Sequence, residues 1–334
     1  MLRDSAEGRK SLTNTKRNGS PVAPRLLISH NSEYLANNQA NSTLTGERNR
    51  LMAEYGMPTA PASGVPDFLY GTAWKEDRTP ALTELAIRSG FRGIDTANQR
   101  RHYFEAGVGQ GLAAVYRAGL VTRKDLFLQT KFTYQARQDH RLPFDPAARL
   151  SVQVAQSMAS SLEHLGAEYV DSYVLHGPSS RYHWTDDDAE TWEAMIQERD
   201  AGRTRFLGVS NIGLEQLQKM MTVHREGPAF VQNRCYARLG WDRQVRLFCR
   251  DNNIIYQGFS LLTANIEVLR HPMIAALAAD AGASPAQIVF AFARQIGMLP
   301  LTGTSNADHM KQDLESRSLK LSTEDLNAIE AVAG

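Results

Sequence analysis

The sequence predicts a single-domain α/β protein with the (β/α)8 fold, the TIM barrel. Three observations predict it: short apolar runs alternate with amphipathic segments from residue 67 onward, these runs number eight, and the segments between them carry helix start and stop signals. Alternation of this kind is typical of parallel βα units, and eight strands close such a barrel. A doubly wound open sheet is the alternative that the pattern leaves open.

The apolar runs are the predicted strands, because β-branched and aromatic side chains favour an extended chain. A glycine opens the second run, whose strand is expected at 91–96. In chain order the runs are FLYG at 68–71, GFRGIDT at 90–96, LFLQTKF at 126–132, YVDSYVLH at 169–176, RFLGVS at 205–210, AFVQNRC at 229–235, IIYQGFS at 254–260 and MLPLTG at 298–303.

The amphipathic segments between the runs are the predicted helices. Three of them are expected to begin at a capping side chain that is followed by proline, namely Thr79, Asp145 and Ser284. Ser322 is expected to cap the last helix. The predicted helices span 80–88, 103–118, 146–165, 188–201, 214–224, 243–252, 285–297, 307–317 and 323–333.

The first 64 residues differ in composition from the rest of the chain. They are rich in Asn, Ser, Thr, Arg and Gly and lack sustained periodicity, which predicts a flexible extension at 1–64 ahead of a barrel at 65–334. The stretch 9–25 is basic, as organelle-targeting segments are, but Asp4, Glu7 and the lack of a clear amphipathic helix argue against that interpretation.

Composition excludes several classes of function. A formal net charge of +1 gives no reason to expect nucleic acid or an anionic membrane as a partner, and no apolar run is long enough to span a bilayer. The N-terminus lacks the apolar core of a secretory signal, so a soluble, cytoplasmic protein is expected. Cys235 and Cys249 show no metal-ligand spacing, so they are expected to be reduced structural thiols, and no metal site is expected.

Four side chains suited to catalysis stand at or just beyond the ends of predicted strands. Asp95 ends the second strand, Tyr103 opens the following helix, and Lys131 and His176 lie at the tips of the third and fourth strands. Barrels of this fold concentrate their chemistry at the carboxyl ends of the strands, so these groups are expected at one mouth. Each has a structural alternative: a helix cap for Asp95, packing for Tyr103 and a buried core position for His176.

Eight motifs follow one another at the ends of the predicted strands: GTAWK at 71–75, IDTA followed by EAGVG, LQTKF, VLHGP, GVSN at 208–211, VQNRCY, GFSLL and LTGTSNADHMKQDL. On these motifs, the chain from about residue 71 onward resembles the aldo-keto reductase family. One departure is the spacing from Asp95 to Tyr103, which is longer than in the family because Arg100 and Arg101 lie in what resembles a small insertion. The insertion makes His102 the rival to Tyr103 as the acid.

The resemblance implies hydride transfer from a reduced nicotinamide to a small-molecule aldehyde or ketone. Tyr103 would give the proton, although a phenol with an ordinary pKa of about 10 is a reluctant donor. The ammonium of Lys131 favours the phenolate and makes Tyr103 a better acid, while Asp95 pairs with Lys131 to keep it charged. A neutral His176 would donate a hydrogen bond to the carbonyl oxygen.

By the same resemblance, a set of loop residues would bind the cofactor. Ser210, Asn211 and Gln232 would hold the nicotinamide carboxamide, Phe259 would stack on the ring, and Ser260 would contact the pyrophosphate. The sequence has no Rossmann or P-loop motif, so the phosphates would lie against the turn at 303–306. The full implied set is Gly71, Thr72, Ser210, Asn211, Gln232, Phe259, Ser260, Thr302, Gly303, Thr304, Ser305, His309, Gln312 and Asp313.

The choice between the two nicotinamide cofactors depends on the last loop. Leu301 and His309 stand where NADPH-preferring members of the family carry a lysine and an arginine, and they offer less charge to a phosphate. NADPH is still expected, with Thr304, Ser305 and Lys311 serving its extra phosphate, and NADH is the alternative.

Trp74, Tyr134 and Trp184 follow the first, third and fourth strands and are expected to form an aromatic substrate mouth, with covering of the barrel surface as the alternative. Two other functions remain open. One is a nucleotide-binding regulatory subunit of the same fold with little turnover, and the other is a barrel lyase or isomerase that uses the same acid and base. The oligomeric state is left open.

Overall fold

A computed structural model describes residues 64–332. Within them, eight parallel strands close a barrel in chain order, so the predicted fold is confirmed. The strands are β1 (Leu69–Gly71), β2 (Gly93–Asp95), β3 (Phe127–Phe132), β4 (Val170–Leu175), β5 (Thr204–Ser210), β6 (Phe230–Arg234), β7 (Ile255–Phe259) and β8 (Leu299–Thr302). The extension predicted for 1–64 lies outside the described residues apart from Gly64.

Helices alternate with the strands, and their apolar faces pack with the strands into one large core cluster. They are α1 (Thr79–Ser89), α2 (Glu105–Arg117), α3 (Leu150–Leu165), α4 (Asp186–Asp200), α5 (Leu214–Val223), α6 (Arg243–Asp251), α7 (Ile266–Leu269), α8 (Pro272–Asp280), α9 (Pro285–Gln295), α10 (Ala307–Glu315) and α11 (Thr323–Ala331). Between residues 64 and 332, no single helix is long and apolar enough to cross a membrane, and α8 and α9 pass that test only jointly, across a 90° bend.

The interior of the barrel is layered, because alternate side chains of a strand point to the same face. An apolar layer comes first along the strands and includes Phe127 of β3. Two and four residues further along β3, Gln129 and Lys131 are fully buried. The same step on β6 and β7 leads from apolar side chains to Gln232 and Gln257. A polar layer therefore separates the apolar interior from the carboxyl ends of the strands.

Helix α2, which follows strand β2, is held close to its neighbours. A Cβ atom at Gly109 would lie 1.9 Å from the backbone oxygen of His164, so only glycine lets α2 approach the end of α3 this closely. The buried carboxylate of Glu105 accepts hydrogen bonds from the Thr130 hydroxyl of β3 and from His164 Nδ1 at 3.0 Å. These contacts fix the first turn of α2 directly after Tyr103.

Two predicted boundaries near the second strand are wrong. Strand β2 has three residues rather than the six predicted. Helix α2 begins two residues after Tyr103 rather than at it. The reason is a turn: the backbone oxygen of Gln99 accepts hydrogen bonds from the amides of His102, at 3.2 Å, and Tyr103, at 3.0 Å.

Other boundaries differ for similar local reasons. Helix α3 starts four residues later than predicted, because the Asp145 carboxylate accepts from the Ala147 amide at 2.9 Å within a turn instead of capping a helix. Thr79 is the first residue of α1 rather than its cap, and its hydroxyl donates to the Glu76 backbone oxygen. Helices α7 and α8 were not predicted. The predicted caps at Ser284 and Ser322 are confirmed.

Candidate active site

A cavity of about 980 Å³ opens at the carboxyl ends of the strands. Three of the four predicted catalytic side chains line it, namely Asp95, Tyr103 and His176. The fourth, Lys131, is fully buried just beneath, with its Nζ 5.3 Å from the centre of the Tyr103 ring. The barrel thus brings together at one mouth groups that are distant in sequence.

Asp95 and Lys131 form a buried ion pair on neighbouring strands. Lys131 Nζ donates to Asp95 Oδ1 at 2.6 Å and to the Thr96 backbone oxygen at 2.8 Å. Burial lowers the pKa of Lys131 below its ordinary value, and the adjacent Asp95 carboxylate opposes that effect. Asp95 is therefore the group that favours the charged ammonium in this buried position.

Tyr103 reaches the pair because of the turn closed by the Gln99 carbonyl. Its ring lies beside Lys131 and contacts the His176 ring edge-on, with centroids 5.9 Å apart. Burial, and secondarily the Asp95 charge, raise the pKa of Tyr103 far above its ordinary value. The phenol is therefore a protonated group, and the nearby ammonium is the feature that can stabilise its anion when it gives up the proton.

His176 is placed as a neutral imidazole. Burial, and then the positive charges of Lys131 and Arg137, hold the pKa of His176 well below its ordinary value. The Thr133 hydroxyl lies 2.7 Å from His176 Nδ1, and a hydroxyl that donates to Nδ1 leaves the ring hydrogen on Nε2. The ring can then offer an N–H to a ligand in the cavity.

His102, the sequence-based rival to Tyr103, also lines the cavity but packs elsewhere. Its ring lies against that of Trp74, with centroids 4.1 Å apart, and its backbone oxygen accepts from the Trp74 amide at 2.7 Å. Burial, and then the charge of Arg101, lower the pKa of His102. Tyr103, rather than His102, therefore has its ring beside Lys131.

Most of the predicted cofactor-binding residues lie at the same cavity. Thr72 and Ser305 are outside its lining: the Thr72 hydroxyl donates to the backbone oxygen of Asp95 at 3.0 Å, and Ser305 is exposed in the loop after β8. The cavity is lined by Gly71, Ser210, Asn211, Gln232, Phe259, Ser260, Thr302, Gly303, Thr304, His309, Gln312 and Asp313.

One end of the cavity carries a buried acid. Asp313 Oδ2 accepts a hydrogen bond from the Thr302 hydroxyl at 2.7 Å. Burial raises the pKa of Asp313 to about 6. At neutral pH this side chain places negative charge at this end of the cavity.

The predicted substrate mouth is only partly formed. Trp74 lines the cavity and is two-thirds exposed. The structure corrects the other two expectations, because Tyr134 and Trp184 are buried outside the cavity lining. The Tyr134 hydroxyl donates to Asp188 Oδ1 at 2.9 Å, and Trp184 Nε1 donates to His224 Nε2 at 3.2 Å. Both rings have polar partners on the helical layer instead.

Sequence reasoning also missed several residues at the site. Lys75 and Arg234 line the cavity and bring positive charge to it. Gln129 and Gln257 lie beneath its floor. The last two could have been found from strand periodicity, since Gln129 stands two residues before Lys131 and so shares its face of β3.

The chain is similar in sequence to known proteins. The family model described as the Aldo/keto reductase family matches residues 70–333. Prostaglandin F synthase 1 of Bos taurus is 26% identical over an alignment of 299 residues, and the match covers 80% of this chain and 88% of that protein. A protein named Aldo-keto reductase from Mycobacterium ulcerans (strain Agy99) is 29% identical over 257 residues, and the match covers 76% of this chain and 82% of that protein.

Solved structures agree in fold. The crystal structure of an aldo/keto reductase from Brucella melitensis has a TM-score of 0.68 and 24% identity, and the match covers 81% of this chain and 99% of that one. The fold and the cavity thus define a (β/α)8 barrel with a ligand site at the carboxyl ends of its strands. With the family match across most of its length, the chain belongs to the aldo/keto reductase family, whose members are oxidoreductases that act on small carbonyl compounds with a nicotinamide cofactor.

Proposed function

We propose that this protein reduces an aldehyde or a ketone to the alcohol, with NADPH as the hydride source and Tyr103 as the proton donor. One observation carries the proposal: the Tyr103 ring lies at the cavity between the buried Lys131–Asp95 pair and the neutral His176. A phenol next to an ammonium can give its proton to an oxygen that gains negative charge.

The roles of the four groups follow from their electrostatics. As the carbonyl oxygen takes the proton of Tyr103, the phenolate that remains is stabilised by Lys131. Asp95 keeps Lys131 charged, since burial alone lowers the pKa of that ammonium. Neutral His176 directs an N–H at the same carbonyl oxygen and so orients the substrate, while adding no charge of its own.

The cavity residues fit a nicotinamide dinucleotide. When bound, the reduced nicotinamide supplies the hydride. Gln232 Nε2 already donates to Asp95 and Gln257, so its Oε1 is the atom left to accept an N–H from a carboxamide. Phe259 presents a partly exposed ring at the cavity. Lys75 and Arg234 give the lining the positive charge that a pyrophosphate requires.

The preference for NADPH is the finer part of the proposal. Thr304 lines the cavity, and Ser305 and Lys311 are exposed close by in sequence, so these three are proposed to serve the extra phosphate. One relative is named NAD(P)H-dependent 6'-deoxychalcone synthase, from Glycine max. The test compares kcat/KM for NADPH and NADH with one aldehyde. We expect the higher value with NADPH, and equal values would reject the preference.

The proton donor is tested by Tyr103→Phe, which keeps the ring and removes only the hydroxyl. We expect kcat for a reactive aromatic aldehyde to fall by about a hundred- to ten-thousandfold, because a positioned general acid contributes that much. The Kd for NADPH, followed by fluorescence, should stay within about twofold of wild type, because the ring that packs at the cavity is kept.

The matched control is His102→Phe, which replaces the rival ring and keeps its packing on Trp74. It should retain most of the activity. A large loss in this variant together with near-wild-type rates in Tyr103→Phe would assign the proton to His102. If the wild-type protein binds NADPH but consumes none with any carbonyl, the nucleotide-binding subunit becomes the better assignment.

A further inference from the structure

At the cavity floor and directly beneath it, three buried glutamines and Asp95 form a set of hydrogen bonds across the barrel. Gln129 Nε2 donates to Asp95 Oδ1 at 2.7 Å and to Gln257 Oε1 at 2.8 Å. Gln232 Nε2 donates to the same two oxygens, at 3.0 and 2.9 Å. Gln257 Nε2 donates back to Gln129 Oε1 at 3.0 Å, and both of these side chains are fully buried.

Strand register explains why these side chains meet. Asp95 on β2 is paired with Gln129 on β3, and Gln232 on β6 is paired with Gln257 on β7. Paired residues of adjacent strands project to the same face, here the barrel interior. The two pairs therefore lie in one layer and face each other across the barrel.

The direction of every hydrogen bond in this layer is fixed by the groups themselves. A carboxylate only accepts, so the NH2 groups of Gln129 and Gln232 must face Asp95, and their second hydrogens then point to Gln257 Oε1. A reversed Gln257 would place its NH2 group against two other NH2 groups. Each amide thus holds its neighbours in one orientation, as is typical of a satisfied buried network.

The layer acts on the catalytic pair through one atom. Asp95 Oδ1 accepts from Lys131 Nζ as well as from the two amides. In the absence of bulk water, these donors stabilise the ionised carboxylate and aim it at the ammonium. Loss of an amide would weaken the ion pair between the Asp95 carboxylate and Lys131. Burial, which lowers the pKa of Lys131, would then favour its neutral form and remove the cation next to Tyr103.

We propose that Gln129 and Gln257 are positioning residues for catalysis, which hold the Asp95 carboxylate directed at Lys131. Gln129 acts by direct donation. Gln257 acts one step further away, by fixing the amides of Gln129 and Gln232. The effect on turnover rests on the proposed reductase function, whereas the effect on the state of Lys131 does not.

The kinetic test uses Gln129→Leu and Gln257→Met, which remove the amides and keep apolar volume. We expect kcat with saturating NADPH to fall about ten- to a hundredfold for Gln129→Leu, as for loss of a hydrogen bond to a charged group, and less for Gln257→Met. The control is Gln153→Leu on α3, a buried glutamine whose amide donates to the Ala148 backbone oxygen. Its kcat should match wild type even if its melting temperature falls.

The pH dependence of kcat distinguishes a positioning role of Gln129 from a purely structural role in packing the barrel interior. In Gln129→Glu, a protonated carboxyl can donate to Asp95 as the amide did, whereas its ionised form places a second negative charge there. Its kcat relative to wild type should therefore be highest at low pH and decline as the pH rises. The same ratio for Gln129→Leu should stay low and flat, and flat ratios for both variants would overturn the proposal.

The state of Lys131 is measured without turnover, by carbon-13 NMR of the lysine Cε atoms in the cofactor-free protein, with Lys131→Met as the assignment control. In Gln129→Leu, the Lys131 signal should titrate at a pH lower by about one unit or more. An unchanged midpoint would overturn the proposal. If Gln129→Leu does not fold, Gln257→Met decides by the same criterion. If wild type consumes no NADPH, the proposed function fails while this titration still gives its answer.

Discussion

Replacement of Asp95 by asparagine tests the electrostatics of the site most directly. In the native barrel the carboxylate is 2.6 Å from Lys131 Nζ, and both side chains are almost completely buried. Asparagine keeps the size of the side chain but not its charge. The buried ammonium then retains the neutral Thr96 carbonyl, at 2.8 Å, as an acceptor and loses its nearest counter-ion.

The size of the effect can be worked out from the pair. Removing one partner of a buried ion pair costs about 3–5 kcal/mol of the free energy of unfolding at neutral pH, because the other charge stays buried. The folded-state pKa of Lys131 is already below its unfolded value of 10.5, and losing Asp95 lowers it further. Where the folded pKa is depressed, the unfolded chain binds more protons, so stability rises with pH. The loss of stability in Asp95→Asn should therefore shrink as the pH rises from the folded-state pKa of Lys131 in the variant to its folded-state pKa in wild type. Both values lie below 10.5.

The assay is urea unfolding of wild type and Asp95→Asn at neutral and at alkaline pH. The control is Glu84→Gln, which breaks the exposed helical pair with Arg88 and should cost about 0.3–0.5 kcal/mol. A deficit no larger than that of the control, or one that is the same at both pH values, would contradict the account of a buried ammonium held charged by Asp95. Reductase turnover should also fall at least about a hundredfold, since Lys131, beside the proposed proton donor, loses the counter-ion that favours its charged form.

Two further predictions concern the cavity end and the helix contact. Because burial raises the pKa of Asp313 to about 6, the folded state holds its proton more tightly than the unfolded state, and stability is lost as pH rises from about 4 to 6. Asp313→Asn, whose side chain can still accept from Thr302, should therefore have a free energy of unfolding higher than that of wild type at pH 7.5, by up to about 3 kcal/mol. This gain should vanish near pH 4, and an equal gain at both pH values would contradict the linkage. Gly109→Ala should lose about 1–3 kcal/mol in chemical denaturation, because its Cβ would overlap the His164 carbonyl, whereas Gly213→Ala, with 3.7 Å to its nearest neighbour, should change stability little. A Gly109→Ala protein as stable as wild type would show that α2 and α3 can separate without cost.

Much of the barrel could be predicted from periodicity. A run such as FLQTKF is apolar enough to be buried, and its step of two residues puts Phe127, Gln129 and Lys131 on one face. Parallel strands end at the same edge of a sheet, which is why the sequence predicts that Asp95, Lys131 and His176 lie together. That expectation needs only local patterns and the direction of the chain.

The segment between Asp95 and Tyr103 shows where local patterns stop being sufficient. Spacing alone leaves both His102 and Tyr103 as candidates for the acid, and predicts a helix that begins at Tyr103. Which ring turns inward depends on a turn closed by the Gln99 carbonyl and on the packing of His102 against Trp74. The turn is local, but the packing of His102 against Trp74 joins the β1 and β2 loops, which are separate in sequence, so no single segment encodes it.

The two misplaced aromatic residues lead to the same conclusion. Tyr134 and Trp184 follow strands, as substrate-binding residues of barrels do. However, the Tyr134 hydroxyl donates a hydrogen bond to buried Asp188, and the Trp184 indole N–H donates one to buried His224. The sequence by itself determined the strands, their order and the chemical groups at their ends, because burial and backbone geometry act on short segments. Only the closed barrel decided which loop side chains face the cavity and that Gln129 meets Gln257 beneath it, because those choices depend on partners contributed by strands and helices far apart in the chain.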